Sequence, residues 1–316
     1  MPVFYENVNT TITSEYRAAS KFVYVYPKTN PQTPLGASWK FGPCFLPEKS
    51  KHYMDTVENY EVRPDDIWSV TFAKAGSTWT QEMIWLLTNN LDYERAKQSV
   101  FERFPYVEFD LIYENVEKNV IDFTNNMPSP RYLKTHLPAG LLPKQLWTVR
   151  PKIIYTARGV KDLAISFYHH MVHIQGYKCS LDDFLDSFLE NKMFLCPYHS
   201  NEKDFWYLRN EENVLFLRYE DMKTDLMGSI EKTVAFLGKE YSEKQLLKLS
   251  DHLSFDSMKD SSTFNLAKWV GTNTDFRFCR KGKIGSYKEE MPEKFIEKFD
   301  KWTDEYNQQN GTCIIP

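Results

Sequence analysis

Ten residues, Val70 to Trp79 (VTFAKAGSTW), constrain this chain more than any other stretch. The apolar run Ile67 to Phe72 reads as a buried strand, and Trp79 to Leu87 as an apolar-rich helix. Between them stands Ala73-Lys74-Ala75-Gly76-Ser77-Thr78. Strand, tight polar loop and helix N-terminus form the geometry that grips a phosphate. The first amides of a helix lack internal partners, and the helix dipole presents its positive end there. Gly76 lets the backbone approach closely, Ser77 and Thr78 supply hydroxyl donors, and Lys74 supplies a full positive charge. The loop differs from the ATP-type phosphate loop, G-x-x-x-x-G-K-[ST], in which the lysine follows the last glycine. Here the lysine precedes the only glycine. That disfavours a nucleotide kinase and leaves open a related loop on a related fold. The competing reading is a plain strand followed by a capped helix.

Further apolar runs at 131–134, 152–157 and 214–218 read as strands. Helical patterns fall near 78–90, 161–173, 181–190, 202–210 and 229–237. Strands alternating with helices predict one α/β domain with a central parallel sheet flanked by helices. Such sheets bind ligands at the carboxyl ends of their strands. Lys74, His136, Arg158 and Tyr219 follow the four strand candidates in turn, which points to one composite site. Residues 1–50 read as an N-terminal arm packed on a domain spanning 51–316. Within the arm, Phe22 to Tyr26 is a short strand candidate and 27–47 an irregular, Pro-rich wrap. No repeat, low-complexity tract or linker divides the chain. A chain of 316 residues buries a large core without staples.

The net charge of −4 argues against a nucleic-acid partner, but not against a small anion held in a cleft. The five cysteines, at 44, 179, 196, 279 and 313, are scattered and lack C-x-x-C spacing. They read as reduced thiols, not as a disulfide framework or a zinc site. No stretch approaches the ~20 apolar residues of a membrane span. The segment MPVFYENVNT lacks the basic and apolar regions of a signal peptide. A cytoplasmic protein without a membrane anchor is therefore expected. Asn9-Thr10-Thr11 and Asn310-Gly311-Thr312 match the glycosylation pattern by chance on this reading.

Four further segments follow FAKAGSTW in order: KTHLP at 134–138, ARGVKDLAISFYHH at 157–170, LRYEDM at 217–222 and RKGKIG at 280–285. Together they resemble the cytosolic sulfotransferases, over about Leu46 to about Tyr306. The resemblance implies transfer of a sulfuryl group from 3′-phosphoadenosine-5′-phosphosulfate (PAPS) to a hydroxyl or amine. The product is then adenosine 3′,5′-bisphosphate, and the loop at 74–78 is a P-loop-kinase-like phosphosulfate-binding loop.

Such a transfer needs a base for the acceptor proton and positive charge for the leaving phosphate. A histidine, ordinarily near pKa ~6.5, suits the first task. His136 follows a strand, beside Lys134, and occupies the family's catalytic-base position. Lys74 can sit on the oxygen bridging sulfur and phosphorus, where charge grows as the bond breaks. Lys134 adds positive charge nearby, and no metal is required. By resemblance, Ser166 touches both the donor's 3′-phosphate and the catalytic lysine. Arg158 can hold the same phosphate through its planar fork of donors. A surface ion pair with Asp162 is its competing role.

The resemblance further implies that Lys74, Ala75, Gly76, Ser77 and Thr78 bind the donor, with Trp79 stacked on adenine and Tyr219 at its edge. Phe255 and Met258 in LSFDSM line the same slot, and Leu253 replaces the usual threonine. Arg280, Lys281 and Gly282 close on the 3′-phosphate. The segment Phe104 to Phe109 (FPYVEF) is similar to one whose aromatics line the acceptor pocket, which assigns Tyr106 and Phe109 there. His170 stands where many relatives carry phenylalanine, making the acceptor site more polar. Pocket shape depends on loops around 85–130 and 255–280. His169 and His173 are four apart on a helical pattern but lack a third metal ligand. Asp182-Asp183 and Glu211-Glu212 read as solvated charge.

The expected reaction is in-line sulfuryl transfer to a small-molecule hydroxyl acceptor, a phenol or sterol-like alcohol. The long arm is similar to that of the retinol dehydratase branch, where sulfonation precedes elimination and the net reaction is dehydration. From different classes, a catalytically weak ligand-binding member and a nucleoside kinase compete with this expectation. Many relatives dimerise through K-x-x-x-T-V-x-x-x-E. Lys288 and Glu297 keep the outer charges, but Pro292-Glu293 replace the central pair and Ser286-Tyr287 replace an upstream Asp-Trp. The chain is therefore expected to be a monomer, or a dimer through another surface.

Overall fold

In the computed structural model, which describes residues 3–8, 21–28, 32–112, 119–259, 263 and 280–316, four parallel strands bring the chemistry to one edge. They are β4 (Ile67–Thr71), β5 (Tyr132–Thr135), β6 (Lys152–Ala157) and β7 (Val214–Arg218), in the order β5-β4-β6-β7. Each lies within two residues of its expected bounds. Alternate side chains serve opposite faces. Ile67, Tyr132, Ile154 and Leu217 enter one buried cluster; Trp68, Val70, Leu133, Ile153 and Tyr155 enter the other. Both faces are covered, which is why these strands read as apolar runs. A buried two-pronged ion pair ties the starts of β4 and β5, with Arg131 Nε 2.8 Å and Nη2 2.6 Å from the Asp66 carboxylate.

Helix α2 (Ser77–Thr88) follows β4 directly. Met83, Ile84 and Leu87 pack it onto the sheet, and Thr80 Oγ1 lies 2.9 Å from Thr156 Oγ1 on β6. Helices Val160–His173, Leu181–Leu189 and Leu226–Leu237 stand where the periodicity places them. The helix expected from 202 begins at Tyr198, after Pro197 at its N-cap position. The sequence pattern does not mark the last helix, Glu293–Asn310. It buries only a thin stripe, Phe295, Phe299 and Thr303, along an otherwise charged surface.

The arm is more regular than expected. Strands β1 (Val3–Asn7), β2 (Phe22–Pro27) and β3 (Cys44–Pro47) form an antiparallel sheet in chain order. The 27–47 segment thus ends in a strand. The cause is tertiary: Phe45 donates its amide to the Cys196 carbonyl and accepts from Leu195, both at 2.8 Å. Val23, Val25, Phe45 and Leu46 share a core with Phe72 of the phosphate loop. Helix α1 (Ser50–Glu58) follows, and Tyr53 on it donates to the Val107 carbonyl at 2.6 Å.

Asn9-Thr10-Thr11, Cys279 and residues 113–118, 260–262 and 264–279 of the two pocket loops lie outside the described residues. Cys44, Cys179, Cys196 and Cys313 are free thiols. Among the described residues, no helix is long and apolar enough to cross a membrane.

Candidate active site

Strand β5 lies on one side of β4 and β6 on the other, so the topology reverses between β4 and β6. A crevice opens at such a point beyond the carboxyl ends of the strands. Its two sides are joined where Arg158, after β6, donates through Nη1 to the Lys74 carbonyl at 3.0 Å. The loop after β4 turns sharply, with Lys74 at φ +70° and Gly76 at φ +105°. A non-glycine residue there costs on the order of 1–3 kcal/mol, a strain that recurs at functional sites. A side chain at Gly76 would begin 3.0 Å from the Tyr219 ring. Gly76 thus brings the loop backbone against that ring at the start of α2.

The crevice deepens into a cavity. The loop and α2 line it with Lys74, Gly76, Ser77, Thr78 and Trp79. Arg158, Ser166 and Tyr219 form a second wall, and Phe255, Met258 and Leu253 a third. Arg280, Lys281 and Gly282 close it. Every residue expected at the donor site lines this cavity except Ala75. Ala75 is fully buried, and its amide is committed to the Phe72 carbonyl at 3.2 Å. The Trp79 and Tyr219 rings meet edge to face at 5.6 Å, and the Arg158 guanidinium lies 4.4 Å from the Tyr219 ring centre.

The suggested pairing of Arg158 with Asp162 does not form. Asp162 instead accepts from the Gly285 amide at 2.6 Å, the Tyr287 amide at 2.9 Å and the Ser286 hydroxyl at 3.0 Å. It therefore pins the turn after Arg280-Lys281-Gly282 onto the 160–173 helix. Lys223 and Ser286 also line the cavity, and Lys223 Nζ stands 5.7 Å from the Trp79 ring centre. Nothing in the local pattern marks Lys223, Ser286 or Asp162, since their roles arise from tertiary contact.

A second cluster adjoins the first. His136 is buried just past β5, with Nδ1 2.6 Å from the Thr71 carbonyl oxygen at the end of β4. Desolvation holds its pKa well below the usual histidine range, and Lys134 and Lys74 push the same way against the Thr71 hydrogen bond. His170 is likewise held low, by desolvation and then by Lys74, Lys134 and His136. The Tyr106 ring lies 5.0 Å from the His136 ring, and Lys134 Nζ lies 4.7 Å from the Tyr106 ring centre. Phe109 is buried one turn on, its amide donating to the Tyr106 carbonyl at 3.0 Å. Desolvation lowers Lys134 to about 8, against the pull of Glu108.

The sequence does not mark Glu108 as part of the site. Its Oε1 accepts from the Thr135 hydroxyl at 2.6 Å, the His136 amide at 2.8 Å and the Leu137 amide at 2.9 Å. One buried carboxylate thus holds the whole turn that carries His136. Burial pushes its pKa up to about 7 against these three donors. The spacing of a Glu two residues after Tyr106 is visible in the sequence, but its partners lie on another strand.

His169 and His173 lie one turn apart on the helix Val160–His173. The two rings stack 5.7 Å apart, and His169 Nε2 meets Glu290. Among the described residues, no group of three or more His, Cys, Asp or Glu is placed to hold a metal ion. Asp182 and Glu211 form surface ion pairs with Lys294 and Arg150.

A phosphate-type loop at a switch point, beside a neutral buried histidine and two lysines, is the arrangement of a group-transfer enzyme with a phosphorylated donor. Residues 64–311 match the model of the sulfotransferase domain, and the chain belongs to the sulfotransferase family. It is 35% identical over 273 residues to the luciferin sulfotransferase of Photinus pyralis, covering 79% of this chain and 74% of that one. To sulfotransferase 1 family member D1 of Mus musculus it is 37% identical over 250 residues, covering 77% and 84%. A crystal structure of retinol dehydratase in complex with androsterone and inactive cofactor PAP superposes with a TM-score of 0.86 at 26% identity. That match covers 99% of this chain and 98% of the other.

Proposed function

We propose that this enzyme transfers the sulfuryl group of PAPS to the hydroxyl of a small apolar acceptor, a phenol or a sterol-like alcohol. One observation carries the reading: Lys74 lines the donor cavity and also acts electrostatically on His136 and His170, so it joins the two clusters. The residues fit the cofactor. Arg158 lines the cavity, and its Nε is buried without a hydrogen-bond partner among the described residues, a donor left unused beside a ligand-sized space. Gly282, at φ +60°, lets the Phe255 ring of the cavity wall pack where a Cβ would stand, 2.1 Å away.

When bound, PAPS supplies an activated sulfuryl group and a phosphate leaving group. Lys74 and the amides and hydroxyls of Ser77 and Thr78 hold the phosphosulfate end. Arg158, Ser166, Arg280 and Lys281 hold the 3′-phosphate, while Trp79, Tyr219 and Phe255 take the adenine. Lys74 and Lys134 stabilise the charge that grows as the bond to sulfur breaks. His136 accepts the acceptor proton at Nε2. Tyr106, Phe109 and His170 border the acceptor. The enzyme works in the cytoplasm on a small-molecule acceptor, and the transfer needs no metal.

A second reading is net dehydration through a sulfated intermediate. The curated relatives above leave about a fifth of this chain unmatched, whereas the retinol dehydratase structure covers nearly all of it, arm included. That protein has been solved with retinol and with androsterone. Incubation with sulfur-labelled PAPS and a panel of phenols, steroids and retinoids separates the readings. Labelled product supports sulfonation, while free labelled sulfate with an unsaturated product supports dehydration.

A further inference from the structure

Arg280 and Lys281 line the donor cavity, and both are already engaged. Their common partner is Glu290, just past the turn Ser286–Glu289. Glu290 Oε1 pairs with Arg280 Nη1 and with Lys281 Nζ, and its Oε2 meets His169 Nε2. Lys281 also reaches Glu289 at 2.8 Å, but that carboxylate is 55% exposed against 23% for Glu290. The Glu290 cluster is therefore the less screened of the two. Burial alone would raise the Glu290 pKa, yet hydrogen bonds from Lys281, His169 and Arg280 hold it down at about 2. The carboxylate is charged throughout the working pH range. A phosphate dianion entering beside Arg280 and Lys281 meets the same donors that this carboxylate occupies.

We propose that Glu290 is an internal counter-anion of the 3′-phosphate site, which holds Arg280 and Lys281 in the donor-free protein and sets donor affinity by competing for them. The inference rests on the assignment of Arg280 and Lys281 to the 3′-phosphate. Glu290 would weaken the binding of any ligand that carries this phosphate and leave ligands without it unaffected. It would thereby limit how tightly the bisphosphate product is retained.

The test is calorimetric titration of wild type, Glu290→Gln, Glu290→Ala and Glu289→Gln with adenosine 3′,5′-bisphosphate and with 5′-AMP. Removing one charge beside a dianion at a mostly buried site is expected to tighten bisphosphate binding about tenfold in both Glu290 variants. Affinity for 5′-AMP should stay within about twofold, and Glu289→Gln should change either ligand less than the Glu290 variants do. Unchanged or weaker bisphosphate binding in both Glu290 variants, with 5′-AMP binding intact, would overturn the counter-anion role. Equal affinity of wild type for the two nucleotides would instead overturn the assignment of the 3′-phosphate site itself.

Discussion

The Nδ1 of His136 lies 2.6 Å from the carbonyl oxygen of Thr71, on the neighbouring strand. A carbonyl only accepts, so Nδ1 carries the proton and Nε2 keeps its lone pair. The imidazole is thus set in one tautomer by the end of β4, and its turn is held by Glu108. Loss of that carboxylate should misplace His136 without touching the donor cavity. Glu108→Ala is expected to lower turnover about 10²-fold, the scale of an ångström-sized misplacement, with donor affinity unchanged. Glu108→Gln keeps an acceptor oxygen and should retain most of the activity. Equal losses in both variants would show that the charge, not the positioning, matters.

Two basic groups, His136 and Lys134, predict the pH profile. A base must be unprotonated, and His136 is held well below its usual range, so its active form is present at neutral pH and lost only as pH falls. Lys134 must be protonated, and its charge is lost as pH rises through about 8. Measured kcat/KM should therefore fall on the basic side near that value. At saturating donor the bound anion favours the ammonium, so the limb in kcat should move to higher pH. Lys134→Arg should shift the limb upward in both, because guanidinium stays charged. An unmoved limb would assign it to another group.

Gly282 is irreplaceable for two reasons, its φ of +60° and the Phe255 ring 2.1 Å from where a Cβ would stand. Gly282→Ala should force the 280–282 segment or Phe255 out of place and lower bisphosphate affinity at least about tenfold. The fold should survive, since the segment lies at the rim of the cavity. Wild-type affinity in this variant would show that the segment does not close on the ligand.

The altered dimer motif has a local structural use. Pro292 occupies the N-cap position of the last helix and Glu293 its first turn, where an acid is favourable. A segment built to start a helix is a poor match for main-chain pairing with a second copy. Sedimentation at several micromolar concentrations should show a monomer, or a dimer that Pro292→Thr/Glu293→Val leaves unaltered. A dimer weakened by that double change would show that the segment still mediates contact.

The parallel sheet is legible in the sequence because each strand is buried on both faces and so stands out as an apolar run. The cavity residues Lys74, Gly76 to Trp79, Arg158 and Tyr219 are legible because they sit in short segments at strand ends. What stays hidden depends on partners far along the chain. Strand β3 forms because Phe45 pairs with residues near 196; Glu108, Asp162 and Glu290 act by holding turns or cations that come from other elements. Spacing alone suggests the Arg158–Asp162 pairing, and tertiary contact redirects both residues.

The reaction proposed for this site is base-assisted sulfuryl transfer from PAPS with His136 taking the proton. Its most direct test is single-turnover transfer from labelled PAPS to the best acceptor of the panel, in wild type and His136→Ala, with bisphosphate affinity measured in parallel. A rate loss of about 10²–10⁴-fold is expected with donor affinity nearly unchanged, because the base acts in the transition state and not on the nucleotide. A variant that transfers label at the wild-type rate, or one whose donor affinity collapses in step with its rate, would contradict it.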